Sequence, residues 1–127
     1  MAEITSKYDF HETVDLLQTA IESSGLKTIS RINAQENLKK AGLTVNGNVI
    51  LEVFHPKLAK EVFDADIRAG IVPPVRIYVY EDSGKTHVVT QNATELFSGY
   101  KNLSSMGRNV DDMLAKIIEA VKSTTPP

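Results

Sequence analysis

Arg76, Tyr78 and Tyr80 alternate along "GIVPPVRIYVYEDSGKT", residues 70–86. Alternation in a strand puts these three side chains on one face and Val75, Ile77 and Val79 on the other. A guanidinium beside two phenols can bind an anion and stack on a planar group, or it can form the contact surface of a subunit interface, where Arg and aromatic residues are enriched. Both readings of the face stand at this point. In the first, a small anionic ligand sits on a platform of Arg76, Tyr78 and Tyr80. In the second, the face meets solvent or a second copy, with Arg76 paired to a carboxylate such as Glu52. Ile50, Glu52 and Phe54 have the parity to join it. Stacking of single-stranded bases needs a surrounding basic groove, and the chain shows none.

His55-Pro56-Lys57 is the second candidate. Proline favours the first position of a helix, so the tripeptide marks a strand-to-helix junction, and helix N-termini attract anions. His55 could act there as a donor or general base, with Lys57 beside it, or it could simply cap the helix. An enzyme built on these residues would use His55 and Arg76 on a small anionic substrate, without metal or cofactor, and would need both in one water-restricted pocket. His11 and His87 are remote in sequence and lack metal-ligand spacing. The loop "SSMGRN" resembles an anion cradle. However, Asp111 and Asp112 fall in the first turn of the helix expected to follow Asn109, where they satisfy its dipole and repel an anion.

Cysteine is absent from the 127 residues. That excludes disulfides, thiolate nucleophiles, iron–sulfur clusters and Cys-ligated zinc. No glycine-rich dinucleotide loop, Walker loop, nucleophile elbow or His-Glu-x-x-His occurs. A net charge of −2 offers no footprint for nucleic acid or an anionic membrane. No apolar run reaches the roughly 20 residues of a membrane span, and the start lacks the features of a secretory signal, so a cytoplasmic location is expected.

The elements that must position these residues follow from periodicity. Residues 3–8 read as an edge strand. Val14, Leu17, Ala20 and Ile21 form a helical stripe that ends at Gly25. Residues 27–32 read as a strand, and Asn33 with Glu36 caps a short helix carrying Leu38 and Ala41. "VILEVF" reads as a strand with Val49, Leu51 and Val53 on one face. The helix from Pro56 should bury Leu58, Ala59, Val62 and Phe63, and residues 64–70 read as a polar loop. Val75–Tyr80 and His87–Thr90 make a hairpin around Asp82-Ser83-Gly84-Lys85. Asn92 and Glu95 cap one further helical turn, and residues 98–109 read as a loop. The last helix carries Leu114, Ile117, Ile118 and Val121, and a frayed tail runs from 123 to 127. The order βαβαβαββα predicts an α+β (mixed α/β) two-layer sandwich, with helices mainly on one face of a mixed sheet and a single domain over 1–127.

The ordered segments "FHETVDLLQTAIESSGLKTISRINAQENLKKAGL", "VILEVFHPKLAKEVFDAD" and "GIVPPVRIYVYEDSGKTHV" resemble the bacterial and archaeal domain-of-unknown-function 302 family. The matching features are Thr13-Val14, Gly25, Asn33, Pro56 with Ala59, Pro74, Arg76 and Val79-Tyr80-Glu81. Val75 and Phe54-His55 stand where that family often carries cysteine, so no thiol-based role carries over. The resemblance implies a small α/β domain that tends to dimerise and has no established activity. Taken together, the sequence points to a non-catalytic homodimeric module for a small ligand or a protein contact, with His55, Lys57, Arg76, Tyr78 and Tyr80 as candidate binding residues and no cofactor or metal.

EDTA and reducing agents are therefore expected to leave the melting temperature unchanged. A fall in EDTA would reveal a structural metal.

Overall fold

The computed structural model describes residues 2–124. The elements are β1 (Ala2–Thr5), α1 (Phe10–Ser23), β2 (Lys27–Asn33), α2 (Ala34–Lys40), β3 (Asn48–Phe54) and α3 (Pro56–Ala65). A 3₁₀ helix (Ile67–Ile71), β4 (Val75–Asp82), β5 (Lys85–Thr90), α4 (Ala93–Phe97) and α5 (Ser104–Glu119) complete the order. Three helices start on the same device, an Asx side chain accepting the N–H of the residue three further on. Asp9 takes Glu12 at 2.8 Å, Asn33 takes Glu36 at 3.0 Å and Asn92 takes Glu95 at 2.8 Å.

The strands form one five-stranded sheet in the order β1-β5-β4-β3-β2. The expected two-layer α+β sandwich is present, but the sheet is not mixed: every pairing is antiparallel. Interleaved helices suggest parallel crossovers, which return the chain to the same end of the sheet. Here α2 and α3 instead join strands that are antiparallel neighbours, so neither carries a crossover. One-sided burial of the strands agrees with this, because parallel sheets are covered on both faces.

The covered face carries Val49, Leu51 and Val53 of β3, Val75, Ile77 and Val79 of β4, and Val88 of β5. They share one core with Val14, Leu17 and Ile21 of α1 and with Val110, Leu114, Ile117 and Val121 in and just beyond α5. All of these are at most 2% exposed.

Three expectations need correction. First, the expected loop over 98–109 is shorter: residues 98–103 are turns and irregular chain, and α5 begins at Ser104. Asp111 therefore lies inside the helix, not in its first turn, and serves a different helix. It accepts the backbone N–H groups of Ala93 and Thr94 at 2.6 and 3.0 Å and the Thr94 hydroxyl at 2.6 Å, tying down the start of α4. One turn earlier, Gly107 brings α5 so close to α4 that a Cβ there would lie 2.8 Å from Thr94 Cα. Second, Phe63 is 43% exposed, while Val62 fills the core beside half-buried Leu58 and Ala59. The Phe63 ring lies against Gly70, where an added Cβ would stand 3.0 Å from Cε1, so it packs on the 3₁₀ turn and not under the sheet. Third, that turn occupies part of the expected polar loop and leaves Ile67 and Ile71 in solvent. At the other end, Ser123 N donates to Thr5 O at 2.8 Å, which ties the chain to β1 beyond α5. Residues 125–127 of the expected frayed tail lie outside the described residues.

Leu51→Ala and Ile77→Ala should each destabilise by about 2–5 kcal/mol, the cost of emptying a filled core site, measured by denaturant unfolding. Unchanged midpoints would invert the assignment of faces. Gly107→Ala tests the helix contact. Gly to Ala inside a helix ordinarily gains about 1 kcal/mol, whereas overpacking costs about 1–3 kcal/mol. We expect a lower melting temperature, and a rise would mean that α4 gives way freely.

Candidate functional site

The uncovered face of the sheet is ordered by its register. A central row runs across all five strands through Glu3, Val89, Tyr78, Ile50 and Ile32. On one side of it lie Thr5, His87, Tyr80 and Asn48. On the other side lie Arg76, Glu52 and Ser30. Arg76, Tyr78 and Tyr80 thus share a face as the alternation predicts, and Ile50 and Glu52 join it. Phe54, of the same parity, is buried at the strand end.

Most polar groups on this face are already paired within the chain. Asn48 Nδ2 donates to Tyr78 Oη at 2.6 Å, and Tyr80 Oη donates to Glu3 Oε1 at 2.7 Å. Ser30 Oγ donates to Glu52 Oε1 at 2.8 Å, and Arg76 Nε approaches Glu52 Oε2 at 3.4 Å. The expected Arg76–Glu52 pair therefore forms. It uses only Nε of the guanidinium, leaving the two terminal nitrogens without a protein partner among the described residues. The rings stack in series: Tyr78 on Tyr80 at 5.1 Å between centroids, and Tyr80 on His87 at 5.0 Å, each pair 23° from parallel. The hydrogen bond to Glu3, then burial and the negative charge of Glu3, push the Tyr80 phenol up to about 12. Deprotonation would remove the donor and set two negative charges side by side.

Three shallow concavities, each of about 440 Å³, surround this face or lie apart from it. One is lined by Glu3, Thr5, Tyr80, Asp82, His87 and Lys122. A second, at the sheet end, is lined by Arg76, Glu52, Gln91, Ile71, Val72, Pro73, Pro74, Leu96 and Tyr100. His55 lines a third, with Glu22, Gly25, Leu26, Lys27 and Thr28. His55 and Arg76 are thus not brought into one pocket. His55 Nδ1 accepts the Lys57 N–H at 3.1 Å and caps α3, so only Nε2 faces outward. Lys57 enters this junction through its backbone, and its side chain is exposed. His11 stands edge-on to Phe10, away from the other two histidines' contacts. Among the described residues no cluster of His, Asp or Glu is arranged to hold a metal ion, and no helix is long and apolar enough to cross a membrane.

Several members of this surface escape a reading of the sequence alone. The His87 ring was open to discovery by counting: with Ser83-Gly84 as the hairpin turn, Asp82 pairs with Lys85, and Tyr80 must then pair with His87. Glu3 and Asn48 come from strands whose pairing no local signal reveals. Gln91 and the apolar wall of Ile71, Leu96 and Tyr100 depend on how the 3₁₀ helix and α4 meet the sheet end.

This arrangement defines a small antiparallel α+β sandwich with one helix-covered and one open sheet face. Residues 2–121 match the model of Domain of unknown function DUF302, and the chain belongs to that family. A solved structure similar in fold is the crystal structure of an uncharacterized conserved DUF302 protein from Bacillus stearothermophilus. It superposes with a TM-score of 0.87 at 22% identity, over 95% of this chain and 97% of that one. No curated protein matches the sequence.

Tyr80 should ionise near pH 12, followed through its ring carbon shifts by NMR. Its folded value is raised, so the stability it contributes is complete below pH of about 10 and is lost as pH rises through the folded value. Glu3→Ala removes both the acceptor and the charge, and it should bring that ionisation back toward the ordinary range. A Tyr80 transition unmoved by this change would remove Glu3 as the cause.

Proposed function

We propose that this protein is a non-catalytic, self-associating module in which the open sheet face is covered by the same face of a second copy. The observation that carries this reading is the central row Val89, Tyr78, Ile50 and Ile32, which lays apolar surface across the sheet with no helix over it. Unpartnered apolar surface of this kind marks contact sites.

A two-fold contact sets a patch against itself, so the patch must be complementary to itself. An apolar row across the sheet meets that condition without any charge having to find its opposite. The tyrosine hydroxyls favour covering as well. They already hold partners in Asn48 and Glu3, so a partner surface strands no donor or acceptor there. Five strands about 4.8 Å apart, at about 3.4 Å per residue, give a face roughly 20 Å on a side. That is roughly 400 Å² in plan, about half of what a standard specific interface buries per partner, so the contact is a weak, concentration-dependent one.

Catalysis by His55 and Arg76 has no support in the geometry. The two residues line separate concavities, and the His55 ring is used as a cap.

Sedimentation of the unmodified chain at tens of micromolar should give the dimer mass. Ile50→Glu puts a charge at the centre of the face and should give a monomer with its melting temperature nearly intact, because no helix packs on that side. A parent chain that stays monomeric at these concentrations sinks the proposal.

A further inference from the structure

We propose that the groove at the sheet end is a binding site for a small monocarboxylic acid with an apolar body. Two kinds of surface meet there. The polar lining is Arg76 and Gln91, together with the Glu52 carboxylate that holds Arg76 Nε. The guanidinium presents its two terminal nitrogens, since only Nε is engaged by Glu52. Gln91 Oε1 accepts the Arg76 backbone N–H at 3.0 Å, so the amide's NH₂ end is left to donate. The opposite side is apolar, made by Ile71, Pro73, Leu96 and Tyr100. Ile71 is 82% exposed, the most exposed large aliphatic side chain of the described residues, and it lines this groove. An apolar body lying along it would remove that surface from water.

The charge pattern selects the head group. A planar carboxylate matches the fork of a guanidinium with two parallel hydrogen bonds. Glu52 offsets much of the Arg76 charge and repels any anion, so the ligand is held by the directional hydrogen bonds of the guanidinium, and a second negative charge, as on a phosphate monoester, adds repulsion with no further partner. A volume of about 440 Å³ accommodates a body of several carbons. The site is independent of self-association: it lies at the sheet end, where Arg76 is the second residue of β4, not at the centre of the face around Ile50.

Methyl-detected NMR titration with hexanoate tests this, with hexanamide and acetate as comparisons and with sedimentation run on the same samples. Hexanoate should shift the Ile71 and Leu96 methyls saturably, both in the parent chain and in Ile50→Glu. Hexanamide, which lacks the charge, and acetate, which lacks the body, should each bind at least about tenfold more weakly. Arg76→Gln should weaken hexanoate by a similar factor without lowering the melting temperature. The proposal is overturned if hexanoate causes no saturable shift up to about 20 mM, if hexanamide binds equally well, or if Arg76→Gln binds unchanged. A parent chain that dimerises but ignores hexanoate refutes the groove and leaves self-association standing. A monomer that binds hexanoate does the reverse.

Discussion

One-sided burial of strand β4 is the constraint on which the rest of this molecule depends. Val75, Ile77 and Val79 are fully buried, while Arg76, Tyr78 and Tyr80 lie on the opposite side. A shift of one residue in its pairing would exchange the two sets and drive a guanidinium into the core. Because β3 and β5 flank β4 on both sides, the register fixed there propagates outward. It determines that Ile50 stands beside Tyr78, that His87 stands beside Tyr80, and that β1 brings Glu3 to the phenol of Tyr80. The pattern of the open face is a consequence of the core.

That logic explains how much could be read from the residues alone. Strand alternation in "VRIYVY" and "VILEVF" identifies both faces correctly, because burying an aliphatic side chain is worth a few kcal/mol and burying an arginine costs as much. The helical stripe of α1, the Asx caps at Asn33 and Asn92, and the proline start of α3 are local signals, and each appears where local chemistry puts it. The membership of the face was legible for the three residues in one strand. It was not legible for Glu3, Asn48 or Gln91, which reach it through strand order and pairing, quantities that local sequence does not encode.

The misread start of α5 has a specific cause. Ser104, Ser105, Gly107 and Asn109 are weak helix formers, so "SSMGRN" reads as a loop on propensity. Tertiary contact overrides that preference. Gly107 is required where α5 crosses α4 too closely for a side chain, and Asp111, one turn on, gathers three hydrogen bonds from the start of α4. The same residues that look like a phosphate cradle are a helix-packing contact. Phe63 shows the converse. Helical periodicity assigns it to the core stripe, but the 3₁₀ turn that follows α3 supplies Gly70 as a nearer surface for its ring.

The protonation chemistry of the open face follows from its internal hydrogen bonds. A general acid or base works best when its pKa lies near the operating pH. Tyr80 is moved in the opposite direction, to about 12, by a hydrogen bond from its hydroxyl to Glu3. At neutral pH it is a fixed donor, further from proton transfer than a free tyrosine. Tyr78 is held by Asn48, and Glu52 already receives a hydroxyl and a guanidinium. Groups arranged in this way give the surface a defined shape and hydrogen-bond pattern. The terminal nitrogens of Arg76 differ from these groups, because no protein partner holds them among the described residues. They make the sheet end the part of this face whose hydrogen-bond donors are not already taken within the chain.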